Sequence, residues 1–181
     1  MRTRLAALAS LVVLLASVAA FAGGGALAAG KPARSIAAAN QLEVGVLAEL
    51  NAIRREHGLV PLRLAPSLSS AADLHSRSMA RYGFFTHDSR DGSEFWQRVQ
   101  RFYAADGYEN WSVGENLLWS SPAIAPAEAL KLWMASPGHR KNILTPRWRE
   151  VGLSAVTATS APGVFGNREV TIITTEFGTR S

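Results

Sequence analysis

Apolar side chains at Leu42, Val46, Leu50 and Ile53 recur every three or four residues, which predicts a first helix over about 37–57, stopped by Gly58. Leu59 to Leu62, with Pro61, reads as an extended connection. Leu68, Ala71, Ala72, His75 and Met79 then share one face of a second helix, capped by Ser67 and ended by Gly83 after Tyr82. A third helical stretch is expected from its cap Ser93 to about Tyr103, with Phe95, Val99 and Phe102 turned inward. A fourth starts near Pro126 and carries Ala129, Leu130 and Trp133. Ser136-Pro137 opens a short fifth, with serine as cap and proline at the first helical position, and Pro146 closes it.

The last third changes period. Val151 to Thr157 and Glu169 to Phe177 are rich in Val, Ile and Thr, and Pro162, Gly163, Gly166 and Asn167 lie between them. Two antiparallel strands with a connecting loop are expected. Helices first and strands later is the order of an α+β domain, not of a repeating βαβ chain. There is no internal repeat and no glycine-rich phosphate loop, so nucleotide chemistry has no foothold.

The N-terminus follows another rule. Met-Arg-Thr-Arg precedes a run from Leu5 to Ala22 made only of Ala, Leu, Val, Phe and two Ser, followed by three glycines and Ala26-Leu27-Ala28. This is the order of a secretory signal peptide, so residues 1–28 read as a leader, 29–40 as a linker containing Pro32, and 41–181 as one domain. The expected place of action is secreted or extracytoplasmic; left uncleaved, the apolar run is the one expected tie to a membrane. The length of 181 residues holds a single domain beside such a leader. With no cysteine, disulfides, thiol nucleophiles and thiolate metal sites are excluded. The formal charge of +5 includes Arg2 and Arg4 of the leader, and what remains is too small to predict a nucleic-acid partner.

Chemistry therefore falls to histidine, carboxylate and hydroxyl groups. His57, beside Gly58, reads as a helix-end residue, and His75 as a core histidine bonded to backbone. His87 lies in the loop that follows Phe84 and Phe85, ahead of the turn Asp91-Gly92. Glu115 is embedded in the apolar stretch Val113 to Trp119, where burial raises a carboxyl pKa unless a cation or histidine stands opposite. His139 projects from the first turn of the fifth helix. Spacing alone leaves open whether His87, Glu115 and His139 form a cluster or are three separate polar residues. Trp96 and Trp133 follow helical apolar spacing and are expected in the core. Trp111 and Trp119 flank Gly114-Glu115-Asn116, read as a turn, and with Asn116 are the candidate cleft wall. Arg140, Lys141, Arg147 and Arg149 read as a solvated basic face.

An ordered set of short motifs goes further. It runs from Leu50-Asn51-Ala52-Ile53-Arg54, Gly58-Leu59 and Pro61-Leu62 through Phe85-Thr86-His87, Asp91-Gly92-Ser93, Gly114-Glu115-Asn116 and Trp133 to Ser136-Pro137-Gly138-His139-Arg140, Asn142-Ile143-Leu144 and Val151-Gly152. In this order the chain resembles the CAP superfamily, the SCP-like domains, in its bacterial extracellular form. The resemblance implies a three-layer α-β-α sandwich with a central antiparallel sheet and a cleft holding two histidines and two acids. His87 and His139 take the places of the histidines and Glu115 that of one acid. The second acid of many eukaryotic members falls on Ser136. The resemblance further implies zinc or another divalent metal on His87, Glu115 and His139, and a lipid, a cell-envelope component or a protein as partner. Two neutral imidazoles and a carboxylate are a reasonable trio of ligands with one position left open. The expected function is a secreted binding module; the alternative is a metal-dependent extracellular hydrolase with Glu115 as general base.

Overall fold

The computed structural model describes residues 33–181, with side chains from residue 41 onward. The expected leader over 1–28 lies outside the described residues, as does the linker up to residue 32. Helix α1, Ala33–Glu56, begins earlier than the apolar stripe predicts, so the rest of the expected linker is helical. The run Ala37-Ala38-Ala39 has the highest helix propensity available. Gly58, at φ +68°, follows the helix end as expected. Arg54 is fully buried there, donating from Nε to Val60 O (3.0 Å) and from Nη1 to Ile143 O (2.7 Å) and Thr145 O (3.1 Å).

Helix α2, Pro66–Tyr82, has Ala65 at its N-cap; Ser67, expected as cap, lies within the first turn because Pro66 already occupies the entry position. Gly83, at φ +72°, ends it. Helix α3, Phe95–Gln100, is shorter than expected and capped by Glu94, whose N–H donates to the Gln97 side chain at 3.0 Å. Ser93 is instead held by Asp91, which accepts its N–H (3.0 Å) and hydroxyl (2.6 Å). Since α3 stops early, its period does not extend to Phe102, which is exposed, and Tyr103 is buried in its place. Helices α4, Pro126–Ala135, and α5, Pro137–Ile143, stand where expected.

Four strands form one sheet: β1 (Arg63–Leu64), β2 (Trp111–Ser120), β3 (Glu150–Ala161) and β4 (Arg168–Arg180), in the order β1-β3-β4-β2. β3 and β4 pair antiparallel, as expected, β2 adds antiparallel to β4, and the two residues of β1 add a short parallel edge. The expected turn at Gly114-Glu115-Asn116 is a correction: these residues are the middle of β2, with Glu115 opposite Glu176 of β4. Val113, Glu115, Leu117 and Trp119 alternate to one face, and the central polar pair hides the strand pattern from a reading by hydrophobicity.

One face of the sheet, with Val151, Leu153, Ala155, Ile173 and Phe177, is covered by α1, α4 and α5 through Val46, Leu50, Leu130, Trp133 and Ile143. The other packs under α2 and α3, with Met79 against Leu117, Val170 and Ile172, and Leu68 and Ala71 beside Val99 and Tyr103. The result is the α-β-α sandwich. The approach of α2 is close enough that a Cβ on Gly152 would stand 2.1 Å from the Leu68 carbonyl carbon. Among the described residues no helix is long and apolar enough to cross a membrane.

Candidate functional site

β2 is the outer strand beside β4, and successive side chains leave it in opposite directions. Odd positions face the α2–α3 layer. Gly83 ends α2, and the loop that follows carries His87 back over β2, where its Nδ1 stands 2.8 Å from Glu115 Oε1. The imidazole is half exposed and the carboxylate almost wholly buried. With a carboxylate at Nδ1, that nitrogen carries the proton and donates it, which leaves the Nε2 lone pair for the cleft.

Behind His87 lies a buried cation between two acids. Arg98 of α3 binds Glu115 Oε2 through Nη2 and reaches Glu176 Oε1 at 3.4 Å, while its Nη1 donates to the His87 carbonyl and Ser89 Oγ, both at 3.1 Å. Burial raises the pKa of Glu115 against the pull of Arg98. It raises that of Glu176 as well, with the Glu115 charge as the next cause. Two buried carboxylates share one guanidinium, so burial and their mutual repulsion favour retention of a proton by the pair as a whole. Burial also lowers the His87 pKa.

Even positions of β2 face α4 and α5. Asn116 is fully buried and donates to the His139 carbonyl at 3.1 Å. Asn142 of α5 donates to Glu115 O and Asn116 Oδ1, both at 2.9 Å. This amide clasp fixes α5 to the strand, so His139 stands on the opposite flank of β2 from His87. Burial, then the His87 charge, lowers the His139 pKa. Burial thus biases both imidazoles to the neutral form. Among the described residues no hydrogen bond joins the His139 ring to Glu115.

The proposed three-ligand set does not fit as a cage. Both Glu115 oxygens are engaged, one by His87 and one by Arg98. Among the described residues no group of three or more His, Asp or Glu side chains is placed to hold a metal ion. Glu115 instead orients the His87 imidazole from behind. Ser136 joins α4 to α5, and the second buried acid comes from Glu176 of β4.

The remaining candidates fall as follows. His75 is buried, 2.9 Å from Thr86 O through Nε2, and burial followed by the Arg98 charge pushes it down to about 3. His57 Nδ1 donates to Ile53 O at 2.9 Å, a helix-end contact. Trp133 is core and donates to Leu117 O at 3.0 Å. Trp96, expected in the core, is exposed, because it stands one residue past Phe95 and off the face that buries Arg98 and Val99. Trp111 donates to Tyr103 O at 2.8 Å, and Trp119 packs edge-on against Phe165. At opposite ends of β2, roughly 26 Å apart at ordinary strand rise, they do not wall one cleft. Arg98 and Glu176 were not read from the sequence. Their signals were an arginine three residues after Phe95 on the inward face of α3 and a lone acid inside the strand Thr174-Thr175-Glu176-Phe177.

With this geometry in place, residues 47–170, more than half of the chain, match the model of the CAP family, described as the cysteine-rich secretory protein family. The chain belongs to this family. This CAP chain carries none of the cysteines in the family's description. It is 34% identical over 110 residues to the uncharacterized protein YkwD of Bacillus subtilis, covering 61% of this chain and 40% of that protein. The chain spans less than half the length of the curated relatives it matches. A solved extracellular protein containing an SCP domain from Bacillus anthracis aligns with a TM-score of 0.64 and 25% identity, over 83% of this chain and 44% of that one. An outer surface protein of Borrelia burgdorferi aligns at 0.62 with 18% identity, over 75% and 90% of the two chains, which shows a common fold.

Proposed function

We propose that this CAP protein is an extracytoplasmic binding module of bacteria whose cleft takes a divalent cation, zinc foremost, on His87 and His139. Its partner is a lipid, a cell-envelope component or a protein. The observation that carries the reading is the His87 Nδ1 to Glu115 Oε1 contact of 2.8 Å. It turns the free nitrogen of His87 into a ligand atom in the way carboxylate-backed histidines serve metals. The apolar leader and the extracellular and outer-surface descriptions of two structural neighbours support the location. Two imidazoles hold a cation more weakly than three or four ligands, which leaves coordination positions for a partner's own oxygen or nitrogen.

The hydrolase alternative has less support. A general base must have a free oxygen, and Glu115 spends both on His87 and Arg98.

Calorimetric titration of zinc into the wild type, His87→Ala and His139→Ala tests the proposal. Binding is expected in the wild type and lost in both variants, and Glu115→Gln is expected to weaken it by about 10- to 100-fold. Equal heats in all four proteins remove the metal.

A further inference from the structure

A cavity of about 440 Å³ opens between α2 and α3, behind the loop that carries His87. Its α2 wall is the stripe Leu74, Ser78 and Tyr82, spaced four residues apart, and both Leu74 and Tyr82 leave large apolar surfaces uncovered. Its opposite wall is cationic, with Arg90 and Arg101 at the rim and Arg98 deeper in. The Arg90 guanidinium is stacked 4.0 Å over the Tyr82 ring, which holds it in place without neutralising it. Among the described residues neither Arg90 nor Arg101 forms a salt bridge. Arg98 is almost fully buried, and its Nε–H has no acceptor. Asp91 is the one acid in the lining, and its Oδ1 already accepts both donors of Ser93.

We propose that this cavity binds a small organic anion, an apolar body bearing one carboxylate or phosphate head. The apolar body lies along Leu74, Ser78 and Tyr82, and the head meets the forks of Arg90 and Arg101, which suit planar oxyanions in paired hydrogen bonds. The orphaned donor of Arg98 gives the inner end a further preference for an acceptor. A volume of this size lies within the ordinary range of small-molecule sites, and an apolar wall with a few convergent donors is their usual make-up. His75, uncharged in this setting, adds no cation of its own. Arg98 is already matched by Glu115 and Glu176, so among the described residues the cavity's balance is two unpaired guanidinium groups, Arg90 and Arg101, against the Asp91 carboxylate, which makes a cationic ligand a poor match. The cavity shares Arg98 and Ser89 with the support of His87 but includes neither cleft imidazole, and the two readings fail separately: zinc heats report on His87 and His139, whereas the measurement below reports on Leu74, Ser78 and Arg101.

The test is a titration of the isotope-labelled chain with benzoate, phenyl phosphate and the neutral benzyl alcohol, followed by amide chemical shifts. Saturable shifts at Leu74, Ser78 and Arg101 are expected with at least one anion. Affinity should fall about tenfold in Arg90→Gln and in Arg101→Gln, both exposed residues whose loss leaves the core untouched. A weakening in Leu74→Ser assigns the apolar strip. Response to benzoate only names a carboxylate as the head, and response to phenyl phosphate only names a phosphate. No saturable shift with either anion, binding unchanged in both arginine variants, or benzyl alcohol binding as tightly as the anions each overturns the proposal.

Discussion

Arg98 and Glu176, separated by 78 residues in sequence, meet in the buried layer under α3 at 3.4 Å, and the same guanidinium nitrogen also holds Glu115. One cation therefore serves two carboxylates, and the histidine at the surface is supported by an almost fully buried charge cluster.

Removing either acid leaves the other to balance Arg98; removing both strands a buried cation. The loss of stability in Glu115→Gln/Glu176→Gln should exceed the sum of the two single losses by about 2 kcal/mol. Urea unfolding at pH 7 of the four proteins measures this coupling, and strictly additive losses would contradict a shared guanidinium.

His75 sets part of the acid sensitivity. Its pKa in the folded chain is about 3, below the unfolded value of about 6.5, so protons bind the unfolded chain first. Its contribution is whole above about pH 6.5 and is lost as pH falls toward 3. Glu176, raised by burial, acts in the opposite sense and loses stability as pH rises through its folded value. His75→Gln keeps a donor for Thr86 O, and its stability deficit relative to wild type should narrow between pH 7 and pH 4. Denaturation midpoints at several pH values give the answer; a deficit constant with pH excludes the role.

Asn142 ties α5 to both Glu115 and Asn116. Asn142→Ala should cost about 1 to 3 kcal/mol, since it leaves buried acceptors unpaired. Hydrogen exchange should quicken over Arg140 to Leu144, and zinc affinity should fall with the loosening of His139. Unchanged exchange in α5 would mean that the clasp does not hold the helix.

Gly152 marks the closest approach of α2 to the sheet. Gly152→Ala forces a methyl group against helix backbone and should destabilise by about 3 kcal/mol or more, read as a lower thermal midpoint. Gly138→Ala, where an added Cβ meets nothing within 4 Å, is the control and should change little.

Local pattern was a good guide where burial follows a simple period. Leu68 to Met79 on α2, Ala129 to Trp133 on α4 and the Val- and Ile-rich strands β3 and β4 all emerge from spacing. Pattern failed at β2, where Glu115 and Asn116 interrupt the apolar alternation, and at α3, whose expected stripe ran past the point where Glu94 and Gln97 let the helix start and Gln100 ends it. Trp96 went wrong for the same reason, since a helix of six residues has too few turns to fix which side is in.

The sequence by itself determined the succession of the five helices and the two long C-terminal strands, the absence of thiol chemistry and the three residues His87, Glu115 and His139 as the ones worth watching. Only the tertiary structure decided that Glu115 belongs to Arg98 and His87, that Glu176 is its buried companion, and that the two histidines lie on opposite flanks of one edge strand. Periodicity reports which way a side chain turns within its own element, whereas a charge buried without water must find its partner across the fold, and that partner is chosen by packing rather than by spacing along the chain.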